Sequence, residues 1–161
     1  DDSLHLNVYV LSFVTSFRSM YLGLSAEGKQ RYLPLEAIKR MITLELADRG
    51  AESAYFLRAA QRFRTLLEDM ERALARHEWL AGDRVTLADI DYTPYLRRLQ
   101  ELGYWQLVAA RHPNIARWFD TMRARPSFGV ALSSWETAAD REREVRDIER
   151  ARPLFTAALA A

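Results

Sequence analysis

The chain has 161 residues, enough for one domain with a real core and too few to argue for two. Hydrophobic residues make up 49% and charged residues 28%, the balance of a soluble globular protein, and a formal net charge of +1 argues against a bulk electrostatic grip on nucleic acid or anionic lipid. The absence of cysteine excludes disulfides, thiolate metal sites and a nucleophilic thiol, and His5, His77 and His112 are too scattered to propose a metal from spacing. The longest nearly uncharged run, Leu4 to Phe17, falls short of the ~20 residues a spanning helix needs. Asp1 and Asp2 stand where a signal peptide would be positive, so a cytoplasmic protein is the expectation.

No stretch alternates with period two for long enough to make a strand; the recurring period is helical. The opening segment, Leu4 to Leu24, carries two seams: Leu6, Val10, Phe13, Phe17 and Met20 on one, Leu4, Val8, Leu11 and Thr15 on the other. A helix apolar on two faces is covered on two sides. The bundle supplies one cover; a partner supplies the second, unless the helices of 25–50 or the C-terminal tail fold over it. One or two smaller helices are predicted between Ser25 and Gly50, separated near Pro34, with Leu35, Ile38, Ile42 and Leu46 inward and Gly50 as the stop.

Ser53 is the expected N-cap of a long helix whose stripe is Phe56, Ala60, Phe63, Leu67, Met70 and Leu74, with Gly82 halting the chain soon after it. In Val85-Thr-Leu-Ala-Asp-Ile90, Thr86 and Asp89 form a short capping box, with Val85 and Ile90 placed as a hydrophobic staple. That assigns Asp89 a structural role and no catalytic one. Pro94 lies inside the same helix and should bend it near Ile90. Ile115, Trp118, Phe119 and Met122 make another stripe, entered through Pro113, and a short helix with Phe128 and Leu132 inward follows Pro126. After Trp135, Thr137 to Asp140 repeats the short capping pattern and opens a charged helix that Pro153 should end. Glu142–Arg146 and Arg143–Asp147 are spaced for ion pairs, and Val145, Ile148, Ala151 and Phe155 form a thin apolar edge able to dock. The fold class is all-α, a multi-helix bundle, with 1–135 as the helical domain and 136–161 as a charged helix and tail.

The run Trp79-Leu-Ala-Gly-Asp-Arg-Val-Thr-Leu-Ala-Asp89, followed by His112-Pro-Asn-Ile-Ala-Arg-Trp118 and Arg125-Pro-Ser-Phe128, resembles the helical C-terminal half of glutathione transferases. With Leu4–Leu24, the likeness covers residues 4–135. The opening, including Ser12-Phe-Val-Thr-Ser-Phe-Arg18, is similar to the bacterial branch that includes lignin β-etherases, and abundant arginine fits a GC-rich bacterial genome.

The resemblance implies a thioredoxin-like domain that binds glutathione and activates its thiol. Nothing in this chain corresponds to it, so no catalytic residue and no bound cofactor is carried over, and glutathione enters only as cosubstrate of the complete enzyme. It also implies that the first helix lines a pocket for a small hydrophobic substrate, with Tyr9, Phe13, Phe17 and Tyr21 as lining residues and Trp135 closing one side. Arg18 would meet an anion or stay solvated, and each aromatic can instead be core. Implied partners are the thioredoxin-like domain or a dimer partner on the first helix, with no nucleic acid and no membrane. The alternative function is a non-catalytic interaction module of the same fold.

Overall fold

The computed structural model describes residues 2–132, 134 and 148–160. Every regular element among them is helical, and the one β-bridge, Trp79 to Gly82, closes a turn. The chain forms two compact units, Asp1–Phe63 with Glu142–Ala161, and Arg64–Arg141.

In the first unit, α1 (Asp2–Ser12) runs into a π-helical turn, Phe13–Phe17, and continues as α2 (Arg18–Leu22). A π turn holds an extra residue, so it changes the phase between the helix before it and the helix after it. The first expected seam therefore loses its phase beyond this turn, at Phe17 and Met20. Leu4, Val10, Leu11, Phe13, Val14, Thr15 and Ser16 are buried, while Leu6, Val8, Phe17 and Met20 are only half-buried.

Short α3 (Ala26–Tyr32) starts at Ser25, whose hydroxyl accepts from the Gly28 amide at 3.1 Å. After Pro34, α4 (Ala37–Arg49) turns Ile42, Thr43, Leu46 and Ala47 inward. Leu35 and Ile38 were expected on that side and are instead exposed: Leu35 precedes the helix, and Ile38 sits in its first turn beside an open groove. Gly50 ends α4 at φ +57°, a conformation glycine adopts without a Cβ penalty, and opens a 3₁₀ turn, Gly50–Glu52.

The last helix, α10 (Ile148–Ala160), packs on the π turn and the 3₁₀ turn. Ile148, Ala151 and Phe155 are buried there, the expected docking edge apart from Val145, which lies outside the described residues. Pro153 does not end this helix but sits within it. The capping pattern of Thr137 to Asp140 and the pairs Glu142–Arg146 and Arg143–Asp147 also lie outside the described residues. The π turn is thus packed by its own chain, through α4 and α10, and α2 packs on α4.

The long helix α5 (Ala54–Leu74) belongs to both units. Ser53 Oγ accepts from the Tyr55 amide at its start, and all six stripe residues are buried. The second unit continues with α6 (Leu87–Glu101), α7 (Trp105–Arg111), α8 (Pro113–Arg123) and α9 (Pro126–Ala131). The capping box at Thr86 and Asp89 forms, while Ile90, expected in a staple with Val85, is exposed. The helix α6 passes through Pro94 and stops at Gly103 (φ +78°), where the Tyr104 amide donates to Leu99 O, a Schellman closure. Ile115, Trp118, Phe119 and Met122 are buried along α8, and Phe128 along α9.

Candidate functional site

Four aromatic rings gather in the first unit. Tyr9 comes from α1, Phe13 opens the π turn, Tyr21 lies near the end of α2 and Tyr32 closes α3. Ring centroids are 6.3 Å apart for Tyr9–Phe13, 5.8 Å for Phe13–Tyr21, 6.3 Å for Phe13–Tyr32 and 5.5 Å for Tyr21–Tyr32, all tilted. Such offset pairs add to what burial alone contributes. The Lys29 ammonium stands 6.0 Å from the Tyr21 centroid, a cation–π distance.

Phe13 and Tyr21 are buried at the base of the cluster; Tyr9 and Tyr32 are half-buried at its rim. An open groove of about 550 Å³ borders Tyr9 and is lined further by His5, Leu6, Glu36, Ile38 and Lys39. Of the described residues expected to line a pocket, Tyr9 lines this groove, and Phe13 and Tyr21 are buried in the ring cluster next to it. Phe17 is half-buried in the π turn and forms no part of the ring cluster. Trp135 lies outside the described residues.

The polar geometry fixes Tyr9. Thr43 Oγ1 donates to Lys39 O in the preceding turn at 2.7 Å, which leaves it to accept from the Tyr9 hydroxyl at 2.5 Å. Burial raises the Tyr9 pKa above the ordinary tyrosine value, against smaller opposing effects of the Thr43 hydrogen bond and the Lys39 charge. Burial raises Tyr32 as well, reinforced by Tyr9. Both phenols therefore stay protonated near neutral pH and serve as hydrogen-bonding groups, not bases. Lys39 and Glu36 pair at 3.3 Å on the groove wall. What this arrangement can do is hold and desolvate an aromatic molecule. Among the described residues no group of three or more His, Asp or Glu could hold a metal ion, and no helix is long and apolar enough to cross a membrane.

Arg18 is half-buried and its guanidinium reaches the end of α4. Its Nε donates to Leu46 O and Ala47 O and its Nη2 to Asp48 O, at 3.0 to 3.2 Å, so the guanidinium caps the C-terminus of α4. A Cβ on Gly50 would come within 3.1 Å of Arg18 Nε, so the bare glycine gives that side chain its room.

In the second unit, Asp89 is fully buried. Its carboxylate accepts from the amides of Leu80 (2.9 Å) and Thr86 (2.8 Å), the Thr86 hydroxyl (2.9 Å) and Trp118 Nε1 (2.8 Å). Burial alone would raise its pKa; these donors together hold it below the usual carboxylate value.

Sequence reasoning missed Tyr32, Thr43 and Glu71. Glu71, on α5, accepts from the amides of Asn114 and Ile115 and from Asn114 Nδ2, capping α8 from a distance. No spacing rule joins residues so far apart. Thr43 could have been found as the polar residue in the buried stripe of α4.

Residues 17–126 match the family described as glutathione S-transferase, C-terminal domain. Glutathione S-transferase F13 of Arabidopsis thaliana is 28% identical over 91 residues, 56% of this chain and 41% of that protein. Glutathione S-transferase hmp2 of Hypomyces subiculosus is 32% identical over 60 residues, 37% of this chain and 28% of that protein. The probable glutathione S-transferase GSTF1 of Oryza sativa subsp. japonica is 32% identical over 69 residues, 43% and 31% of the two chains. The chain spans less than half the length of these curated relatives. No solved structure matches it. Because the family match covers more than half of the chain and the described elements are all helical, the chain belongs to the glutathione S-transferase C-terminal domain family.

Proposed function

We propose that the chain is the helical, substrate-side half of a glutathione S-transferase or glutathione-dependent lyase, of the bacterial branch that includes the β-etherases, working in the cytoplasm on hydrophobic aromatic electrophiles. Its partner is a thioredoxin-like domain, or a dimer mate, meeting the first helix, and glutathione is the cosubstrate held by that partner. In this reading the chain supplies positioning and exclusion of water but no nucleophile, acid or base, and is inactive alone. The observation that carries it is the groove lined by Tyr9, whose ring packs on Phe13 and through it on Tyr21 and Tyr32, with the Tyr9 and Tyr32 phenols kept protonated by burial.

The chain alone should pass through immobilised glutathione without retention, yet bind a naphthalene-type fluorophore that Tyr9→Ala weakens several-fold. Retention with elution by free glutathione would place thiol recognition in this chain and end the proposal. A second reading, a protein-interaction module, draws on one observation: Leu35, Ile38, Met41 and Leu44 are exposed on and beside α4. Light scattering on the isolated chain, wild type against Met41→Glu, separates the two, since only the module reading ties self-association or partner capture to that strip.

A further inference from the structure

We infer that Thr43 is a positioning residue for the aromatic site: through its hydrogen bond to Tyr9 it sets the spacing of the two groove walls, and so the width of aromatic ligand they hold. This inference rests on the substrate-side reading above and deepens it by naming what controls ligand width. One wall of the groove comes from α1, with His5, Leu6 and Tyr9, and the other from the start of α4, with Glu36, Ile38 and Lys39. Tyr9 is the last of the first set, and Thr43 follows Lys39 by about one helical turn. Their bond therefore joins the two walls at one end of the groove. Beyond that joint α4 is fastened to the opening helix again, where Arg18 donates to Leu46 O, Ala47 O and Asp48 O and where α4 packs on the π turn and α2. Ahead of it, Arg40 Nη2 reaches Gln30 Oε1 at 2.6 Å, an exposed bond that ties α4 to α3 and not to α1.

The joint has a defined direction. Thr43 is fully buried, its proton goes to Lys39 O, and the hydroxyl oxygen accepts from Tyr9. The Tyr9 ring packs in turn against Phe13, with centroids 6.3 Å apart. Removing either hydroxyl leaves the burial of Thr43 and this ring contact in place but releases the link between the helices. The Tyr9 ring is then free to turn, and the first turns of α4 are free to move away from α1. A narrow aromatic loses contact with one wall, whereas a wider one still reaches both. Ligand width is thus read by two helices whose separation a single neutral hydrogen bond holds at this end.

The test measures, by fluorescence on the full chain, the affinities of a narrower and a wider probe, 2-ethylnaphthalene and pyrene. Relative to the wild type, Thr43→Val keeps the branched shape and should shift the ratio of the two affinities toward pyrene by roughly three- to tenfold, the range of one neutral hydrogen bond. Tyr9→Phe keeps the ring and removes the other end of the bond, so it should shift the ratio equally. The double variant should go no further than either single one. Thr43→Ser keeps the hydroxyl and should retain the wild-type ratio. A merely structural role would weaken both probes in parallel and leave the ratio fixed. A ratio unmoved in Tyr9→Phe, additive shifts in the double variant, or a Thr43→Ser chain that behaves as Thr43→Val overturns the inference; 2-ethylnaphthalene binding that Tyr9→Ala still weakens leaves the aromatic site standing. Failure of the wild type to bind 2-ethylnaphthalene, or binding indifferent to Tyr9→Ala, overturns the aromatic site itself. Should Thr43→Val fail to fold, Tyr9→Phe decides alone, because Tyr9 is only half-buried.

Discussion

At the residue scale, Asp89 gathers donors from a turn, a helix start and the indole of α8, all of them left in the interior if it is removed. A buried donor without a partner costs ~1–3 kcal/mol, so Asp89→Ala is expected to lower stability by about 3 kcal/mol or more in urea denaturation. Asp89→Asn keeps an acceptor oxygen and should lose less. His112, between α7 and α8, is buried in a way that lowers its pKa; Glu71 and Glu68 oppose this and Arg111 adds to it. A His whose folded pKa is depressed stabilises fully above the unfolded value of ~6.5 and loses that contribution as pH falls through the folded value. Urea midpoints of the wild type should therefore drop on going below about pH 6.5, and His112→Gln should flatten that part of the profile. The capping role of Asp89 was legible in the sequence, because its partner Thr86 is three residues away and the chemistry of the box is local. Its bonds to Leu80 and Trp118 were not, because they exist only once the helices are packed.

At the scale of the elements, α5 and α8 complete each other's ends. Glu71 supplies acceptors to the first amides of α8, and Arg117 Nη2 donates to Leu74 O at the last turn of α5. Negative charge at a helix start and positive charge at a helix end also suit the two macrodipoles. Glu71→Gln retains only one acceptor oxygen. It should cost about 1 kcal/mol and speed hydrogen exchange at the Asn114 and Ile115 amides, with amides in the middle of α5 unaffected. Arg18 does for α4 what Arg117 does for α5. Neither arginine could be told from a solvated one by sequence, since the carbonyls they reach carry no side-chain signature. The stripes of α5 and α8 were plain because each face is uniformly apolar and the winding regular; the opening helix was misread beyond Phe13 because regular winding was assumed through Phe13–Phe17.

At the scale of the whole molecule, the C-terminal helix α10 is part of the first unit's interior and not a free extension: Ala151 and Phe155 are fully buried. Deleting 148–161 should therefore increase binding of a hydrophobic dye and lower the thermal midpoint, whereas a loosely attached tail would leave both unchanged. The all-helical class and the family were legible because capping, proline placement and apolar period agreed along the chain. The candidate site was legible only as a list of aromatics. Tyr9 could not be separated from the supporting rings, nor Tyr32 added to them, until α3 was folded beside α1. The wide turn at Phe13–Phe17 has a final consequence. Removing a single residue there would let the segment wind as an ordinary α-helix and swing everything upstream by about 100°. Tyr9 would leave Thr43 and a different side chain would look out over the open cleft. Insertion or loss of one codon, with no exchange of chemistry at all, is thus a direct route by which this scaffold could change what it admits.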